Sequence, residues 1–155
     1  MIPAQIPFNM TSCQKRGFPP FRDPAVILID QLKDVFIEGE LEIVETALWY
    51  PKMYRKDYKI GLNLTGGGVD DPDQQFYENY ACGSPRNYTD YCNPELEKLF
   101  DRQSAQSDED KRKRLVWEIE RKLAEDGARP ILAFGSTVLG QNINSHYEPF
   151  AVLID

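Results

Sequence analysis

The sequence predicts an α/β fold in which a mixed sheet is flanked by helices. Three observations carry this. Short β-branched or alternating segments recur between helical patterns. Three helix starts share the device of an Asx residue followed by proline. The order along the chain runs strand, helix, strand, short helix, strand, several helices, strand.

The strand candidates are IPFNMTS (6–12), LEIVET (41–46), YKIGLNLT (58–65) and PILAF (130–134). In the third, Tyr58, Ile60, Leu62 and Leu64 share one face, and Lys59, Gly61, Asn63 and Thr65 the other. A three- or four-stranded sheet, parallel in part, is expected. Of the Asx-Pro helices, DPAVILIDQLKDVF starts with Asp23 as N-cap and Pro24 at the first helical position. Its stripe is Leu28, Leu32 and Val35, with Ile29 and Phe36 beside it. DPDQQFYENY repeats the device with Asp71 and Pro72, and NPELEKLFDRQ with Asn93 and Pro94. The longest helix is expected from Asp108 to Asp126, with Ser107 and Asp110 as a capping box. Val116, Ile119 and Leu123 form its stripe, Gly127 ends it, and Pro130 prevents continuation. After Phe134 no period is visible, and 136–155 reads as an irregular tail.

The chain has 155 residues, 41% of them hydrophobic, which suits one domain with a sizeable core. No apolar run is long enough to span a membrane as a helix. The first residues, MIPAQIPFNMTS, show no basic and apolar leader. The net charge is −7 and the basic residues form no separate stripe, so a nucleic-acid partner is not expected. The run DEDKRKR (108–114) carries both signs and reads as a solvated helix face.

The chemistry-bearing candidate is TGGGVDDPD (65–73). It lacks the lysine and hydroxyl that close a phosphate loop, and its consecutive glycines do not fit the dinucleotide fingerprint. Asp70, Asp71 and Asp73 are too compact for a calcium loop, and Pro72 interrupts them. Asp71 reads best as a helix cap, and Asp73 as a charge favoured at a helix N-terminus. No metal or cofactor is expected. The stretch follows a strand, and ligands of open α/β sheets bind beyond the carboxyl ends of strands. Asn63, Thr65, Gly66, Gly67, Asp70 and Asp71 are therefore ligand-side candidates, the glycines because they expose backbone N–H groups. Trp49 either lines a pocket or anchors the short helix on the sheet.

Of the three cysteines, Cys82 and Cys92 lie ten positions apart in a turn-rich stretch. Spacing alone leaves open a bridge or two reduced thiols. Cys13 reads as a plain apolar residue. With one histidine and no CxxC, a zinc site is not expected.

The block from DPAVILIDQLKDVF through TGGGVDDPDQQFYENYACGSPRNYTDYCNPELEKLFDRQ, continued by SDEDKRKRLVWEIERKLAEDGARPIL, resembles the second lobe of the extracellular solute-binding proteins of family 5. These are the peptide-binding components of bacterial ABC importers. The resemblance covers roughly residues 18–132. It implies one α/β lobe of a two-lobed clamshell, here a fragment spanning 1–155, with no catalysis. It implies a Cys82–Cys92 disulfide and a periplasmic setting. The implied partners are a peptide or related small solute, the first lobe of the parent protein and a membrane permease. Leu64 stands where dipeptide binders carry tryptophan, and glycine where they carry aspartate, so the resemblance does not fix a dipeptide ligand. Two other classes compete. A carboxylate-dependent hydrolase would use Asp70, Asp71 or Asp73. A cytosolic interaction module would keep Cys82 and Cys92 as free thiols.

Overall fold

The computed structural model describes residues 6–14, 22–64, 71–136 and 147–154. The elements in chain order are β1 (Ile6–Gln14), α1 (Arg22–Lys33), β2 (Ile37–Glu45), α2 (Thr46–Tyr54), β3 (Ile60–Leu64), α3 (Pro72–Tyr80), α4 (Pro94–Ser104), α5 (Glu109–Glu125), β4 (Ile131–Ser136) and β5 (Tyr147–Ile154).

Among the described residues the sheet is mixed and has five strands in the order β2-β1-β3-β5-β4. β1 runs parallel to β2 along its whole length, from Ile6 opposite Ile37 to Gln14 opposite Glu45. It also runs parallel to β3, with Met10 opposite Ile60. β5 runs antiparallel to β3 and β4 and lies between them. The expected three or four strands become five because part of 136–155, taken as irregular, supplies β5. An interior strand reads as a continuous apolar run rather than an alternation. FAVLI is such a run and carries no alternation to read.

α1 buries Ala25 and Ile29, one turn apart, against Leu62 of β3, with Leu28, Leu32, Leu41 and Ile60 around them. The helix starts at Arg22, so Asp23 lies inside its first turn, where a carboxylate meets the positive end of the helix dipole. It stops at Lys33, and Phe36 N–H donates to the Lys33 carbonyl at 2.9 Å. Phe36 takes φ 64°, so Val35 and Phe36 leave the expected stripe and face solvent. β2 then begins four residues earlier than expected. IEGEL has the period of a strand, with Ile37, Gly39 and Leu41 half-buried and Glu38 and Glu40 exposed.

The helices α3, α4 and α5 form a separate layer. Phe76 of α3, Leu96, Leu99 and Phe100 of α4, and Ile119 and Leu123 of α5 pack into one core with Ala128. Phe76 and Phe100 stack with centroids 5.3 Å apart and planes 7° from parallel. Asp71 and Asn93 cap α3 and α4 as expected. The Asp71 carboxylate accepts from Asp73 N–H at 2.9 Å, and Asn93 Oδ1 accepts from Glu95 N–H at 3.1 Å and Leu96 N–H at 3.3 Å. The N-cap of α5 is Asp108 rather than Ser107. Its carboxylate accepts from Lys111 N–H at 3.0 Å, one residue beyond the Asp110 N–H that a Ser107 cap would meet. Gly127, at φ 61°, ends α5. Its N–H donates to the Ala124 carbonyl and the Ala128 N–H to Leu123, both at 3.1 Å, which is the paired C-terminal motif a left-handed glycine permits. Ala128 thereby enters the core beside Leu123.

No helix among the described residues is long and apolar enough to cross a membrane.

Candidate functional site

The candidate site lies where β3 ends and α3 begins. Asn63 is buried near the end of β3, opposite Ala151 of β5. Thr65, Gly66, Gly67 and Asp70 lie outside the described residues.

Asp71 is committed to the helical layer. Its Oδ2 accepts from Arg112 Nη1 at 2.8 Å, and its Oδ1 from Arg112 Nη2 at 2.7 Å. This two-pronged pair ties the N-terminus of α3 to the first turns of α5. Arg112 Nε also donates to Gln103 Oε1 at 3.2 Å. Gln103, buried on α4, donates in turn to Asp73, whose second oxygen accepts from Ser104 Oγ at 3.2 Å. Three helices are thus joined by one polar chain. The Arg112 hydrogen bond, then the Asp73 N–H, hold the Asp71 carboxyl below its ordinary value of 3.8, against a small opposing effect of burial.

A stability consequence follows. A carboxyl held low in the folded state stabilises fully above its unfolded pKa, and that contribution is lost as pH falls through the folded value. Asp71→Ala is expected to cost about 1–2 kcal/mol at pH 7 through loss of the cap and of the Arg112 partner. The pair is about one-third exposed, so solvent screens it and the lower end applies to the ion pair itself. Urea denaturation of both proteins at pH 7 and below pH 3 measures this. The gap between them should narrow in acid.

Trp49 takes the anchoring role rather than a pocket-lining one. It is 2% exposed and packs with Met53, Tyr58 and Tyr88, with Val44 of β2 against them. Its ring meets Tyr88 edge to face at 6.0 Å.

Cys82 and Cys92 are bonded, with Cα atoms 4.6 Å apart. The enclosed loop is organised by Asn87, 1% exposed, whose Nδ2 donates to the Ala81 and Tyr91 carbonyls at 3.0 and 2.6 Å. At the base of this loop sits Arg129. Nη1 donates to Asn79 Oδ1 at 2.8 Å, and the guanidinium lies 5.8 and 5.9 Å from the Tyr80 and Tyr88 ring centroids. Burial, the largest effect, pulls its pKa below the ordinary value, and the neighbouring tyrosines oppose this. Burial also raises the Tyr88 hydroxyl, with its hydrogen bond to Tyr54 second.

These facts bear on the competing classes. Asp71 and Asp73 are both spent on helix-to-helix bonds, which removes two of the three carboxylates a hydrolase would use. The free thiols expected of a cytosolic module are replaced by a disulfide. Among the described residues, no three His, Cys, Asp or Glu side chains converge as metal ligands would.

Arg112 was hidden in a run read as solvated. Its position was nevertheless legible, because 112, 116, 119 and 123 form one continuous helical stripe. Arg129 and Asn87 were not singled out as functional residues. Asn87 holds the carbonyls of Ala81 and Tyr91, six and four positions away, and Arg129 holds Asn79, fifty positions away.

No protein-family model matches the sequence. No curated protein matches it either. Solved structures do. A dipeptide binding protein from Pseudoalteromonas sp. SM9913, in complex with Met-Leu, superposes with a TM-score of 0.75 at 17% identity, over 97% of this chain and 28% of that one. The periplasmic binding protein DppA from Helicobacter pylori, in complex with the peptide STSA, gives 0.73 at 14% identity, over 97% and 27%. The oligopeptide-binding protein AppA from Bacillus subtilis, in complex with a nonapeptide, gives 0.67 at 22% identity, over 97% and 27%. The chain therefore spans little more than a quarter of the length of the structures it matches. The likeness shows the fold, an α/β lobe of the periplasmic-binding-protein kind.

Proposed function

We propose that this chain is one lobe of the solute-binding component of an ABC importer, and that it helps enclose a peptide or related small solute outside the cytoplasmic membrane. The observation that carries the reading is the superposition of 97% of the chain on a portion of proteins whose structures hold peptides. The disulfide supports an oxidising compartment. On this reading the other partners are a first lobe and a membrane permease.

The ligand-side residues we assign are Asn63, Thr65, Gly66, Gly67 and Asp70, at the carboxyl end of β3. Asp71 is not among them, since Arg112 takes both its oxygens. Trp49 is excluded by its burial in the α2 core. Asp70 is the carboxylate that would meet a cationic group such as a peptide α-amine. A lobe alone supplies half of an enclosing surface, so binding belongs to the full gene product.

A thermal-shift titration of that gene product with dipeptides to pentapeptides tests the reading. A peptide at roughly a hundredfold excess over Kd stabilises by about 2.7 kcal/mol, a clear rise in Tm. Cooperative melting with no shift for any peptide would count against the reading. Asp70→Asn should weaken a free peptide at least about tenfold and leave its N-acetylated form unaffected, as loss of one charge-assisted bond requires.

A further inference from the structure

The described buried residues form three clusters. One is the helical core of α3, α4 and α5. The other two lie at the sheet, one around Leu62 under α1 and one around Trp49 and Met53 of α2. Tyr88 belongs by chain position to the link between α3 and α4, yet it is 4% exposed and packs in the α2 cluster. Several further contacts cross at the same place. Tyr58 Oη donates to the Tyr88 carbonyl at 2.5 Å, and Lys56 Nζ to the Asn87 carbonyl at 2.5 Å. Lys56 also pairs with Asp90 at 3.0 Å, and the Tyr54 ring lies 5.5 Å from that of Tyr88. On the helical side the segment is gripped by Arg129 against Tyr88, and by Glu97, which accepts the Cys82 N–H at 2.8 Å. The segment that does this bridging is the one closed by Cys82–Cys92.

We propose that residues 83–91 form a redox-sensitive latch, which the Cys82–Cys92 bond keeps shaped to seat Tyr88 in the α2 cluster, and that reduction unlatches the helical layer from the sheet layer. A short loop with turns at both ends holds its form because the bridge removes open conformations; cutting it restores them. The chemistry is thiol–disulfide exchange with a dithiol. Cys92 is exposed and Cys82 half-buried, so the reductant's thiolate attacks Cys92 Sγ. The S–S bond breaks, Cys82 leaves as thiolate and takes a proton, and the second reductant thiol then displaces Cys92. Two electrons and two protons pass from the dithiol, which closes its own disulfide.

The chain offers its own reporter. Trp117 on α5 is 63% exposed, so Trp117→Phe leaves Trp49 as the sole tryptophan at little structural cost. In that protein, dithiothreitol should shift Trp49 emission to the red. Amide exchange in residues 46–54 should accelerate by about thirtyfold or more, the opening expected when a small-loop bridge is cut. Amides of α4 and α5 should keep the protection of the oxidised protein, and reoxidation should restore both signals. Tyr88→Ala with the bridge intact should open 46–54 in the same way. Unchanged Trp49 emission and α2 exchange after verified reduction would overturn the latch. Equal loss of protection in α4 and α5 would also overturn it, since the bond would then be a staple of the whole chain.

Discussion

Arg129→Ala should lower the stability of the fold by about 4 kcal/mol, read as a fall in the urea midpoint with an unchanged slope. Arg129 is 6% exposed, and its guanidinium lies against the rings of Tyr80 and Tyr88. Truncation forfeits the packing of two rings and two desolvated cation–π contacts, worth about 1–2 kcal/mol each. It also leaves Asn79 Oδ1 without its 2.8 Å donor, a further cost of about 1–3 kcal/mol. Asn79 cannot turn away freely, because its Nδ2 is held by Gln75 Oε1 at 2.7 Å and the Gln75 carbonyl at 3.1 Å. Relief of the guanidinium's own desolvation opposes these losses, which is why the total stays well below their sum. Arg129→Met separates the parts. It keeps the apolar filling and loses the donor, so about half the effect should remain. For a domain of this length 4 kcal/mol corresponds to roughly 8–16 °C in Tm.

Phe100→Ala should cost about the same, about 4 kcal/mol, by a different route. Phe100 is 0% exposed, stacked on Phe76, and met at its edge by Tyr77 at 5.9 Å. It lies at the meeting of α3, α4 and α5, where the other members are Leu96, Leu99, Ile119 and Leu123. A hole there is walled by three helices that are tied to one another by Asp71, Arg112, Gln103 and Asp73. The walls cannot collapse without breaking that polar chain, so the cavity term is paid nearly in full. Phe100→Leu retains most of the volume and should cost about 1–1.5 kcal/mol. Thermal melts of the two variants side by side test whether the loss tracks volume. A small loss for Phe100→Ala would mean that the helices close the gap.

The helical layer was the legible half of this chain. Asp71 and Asn93, each followed by proline, mark helix starts through chemistry confined to three or four consecutive residues. Gly127 marks the end of α5 for the same reason. Where two acceptors competed one residue apart, as Ser107 and Asp108 do, the local rule placed a cap but not which residue supplied it. The sheet was less legible, because strand pairing joins distant segments. Ile37–Leu41 carries the alternation of a strand but was expected only from Leu41, and β5 could not be read at all by period. In the candidate site, Asn63 and Asp71 were visible as the strand's polar face and the helix cap. The partner that commits Asp71 sits 41 positions away, and only folding brings it there. Trp49 was ambiguous for a similar reason, since its neighbour Tyr88 arrives from beyond α3.

The place of β5 sets an order of events. Among the described strands β4 pairs with β5 alone, and β5 itself stands against β3. During synthesis, β1, β2 and β3 can assemble with α1 and α2 through parallel contacts, and α3, α4 and α5 can pack locally. Until residues 147–154 leave the ribosome, β3 has an open flank and 131–136 has no described strand to join. The unpaired flank is the surface on which a nascent chain is vulnerable to aggregation. Completion of the sheet is therefore coupled to the emergence of 147–154, and slowing translation across 137–154 should prolong that exposure.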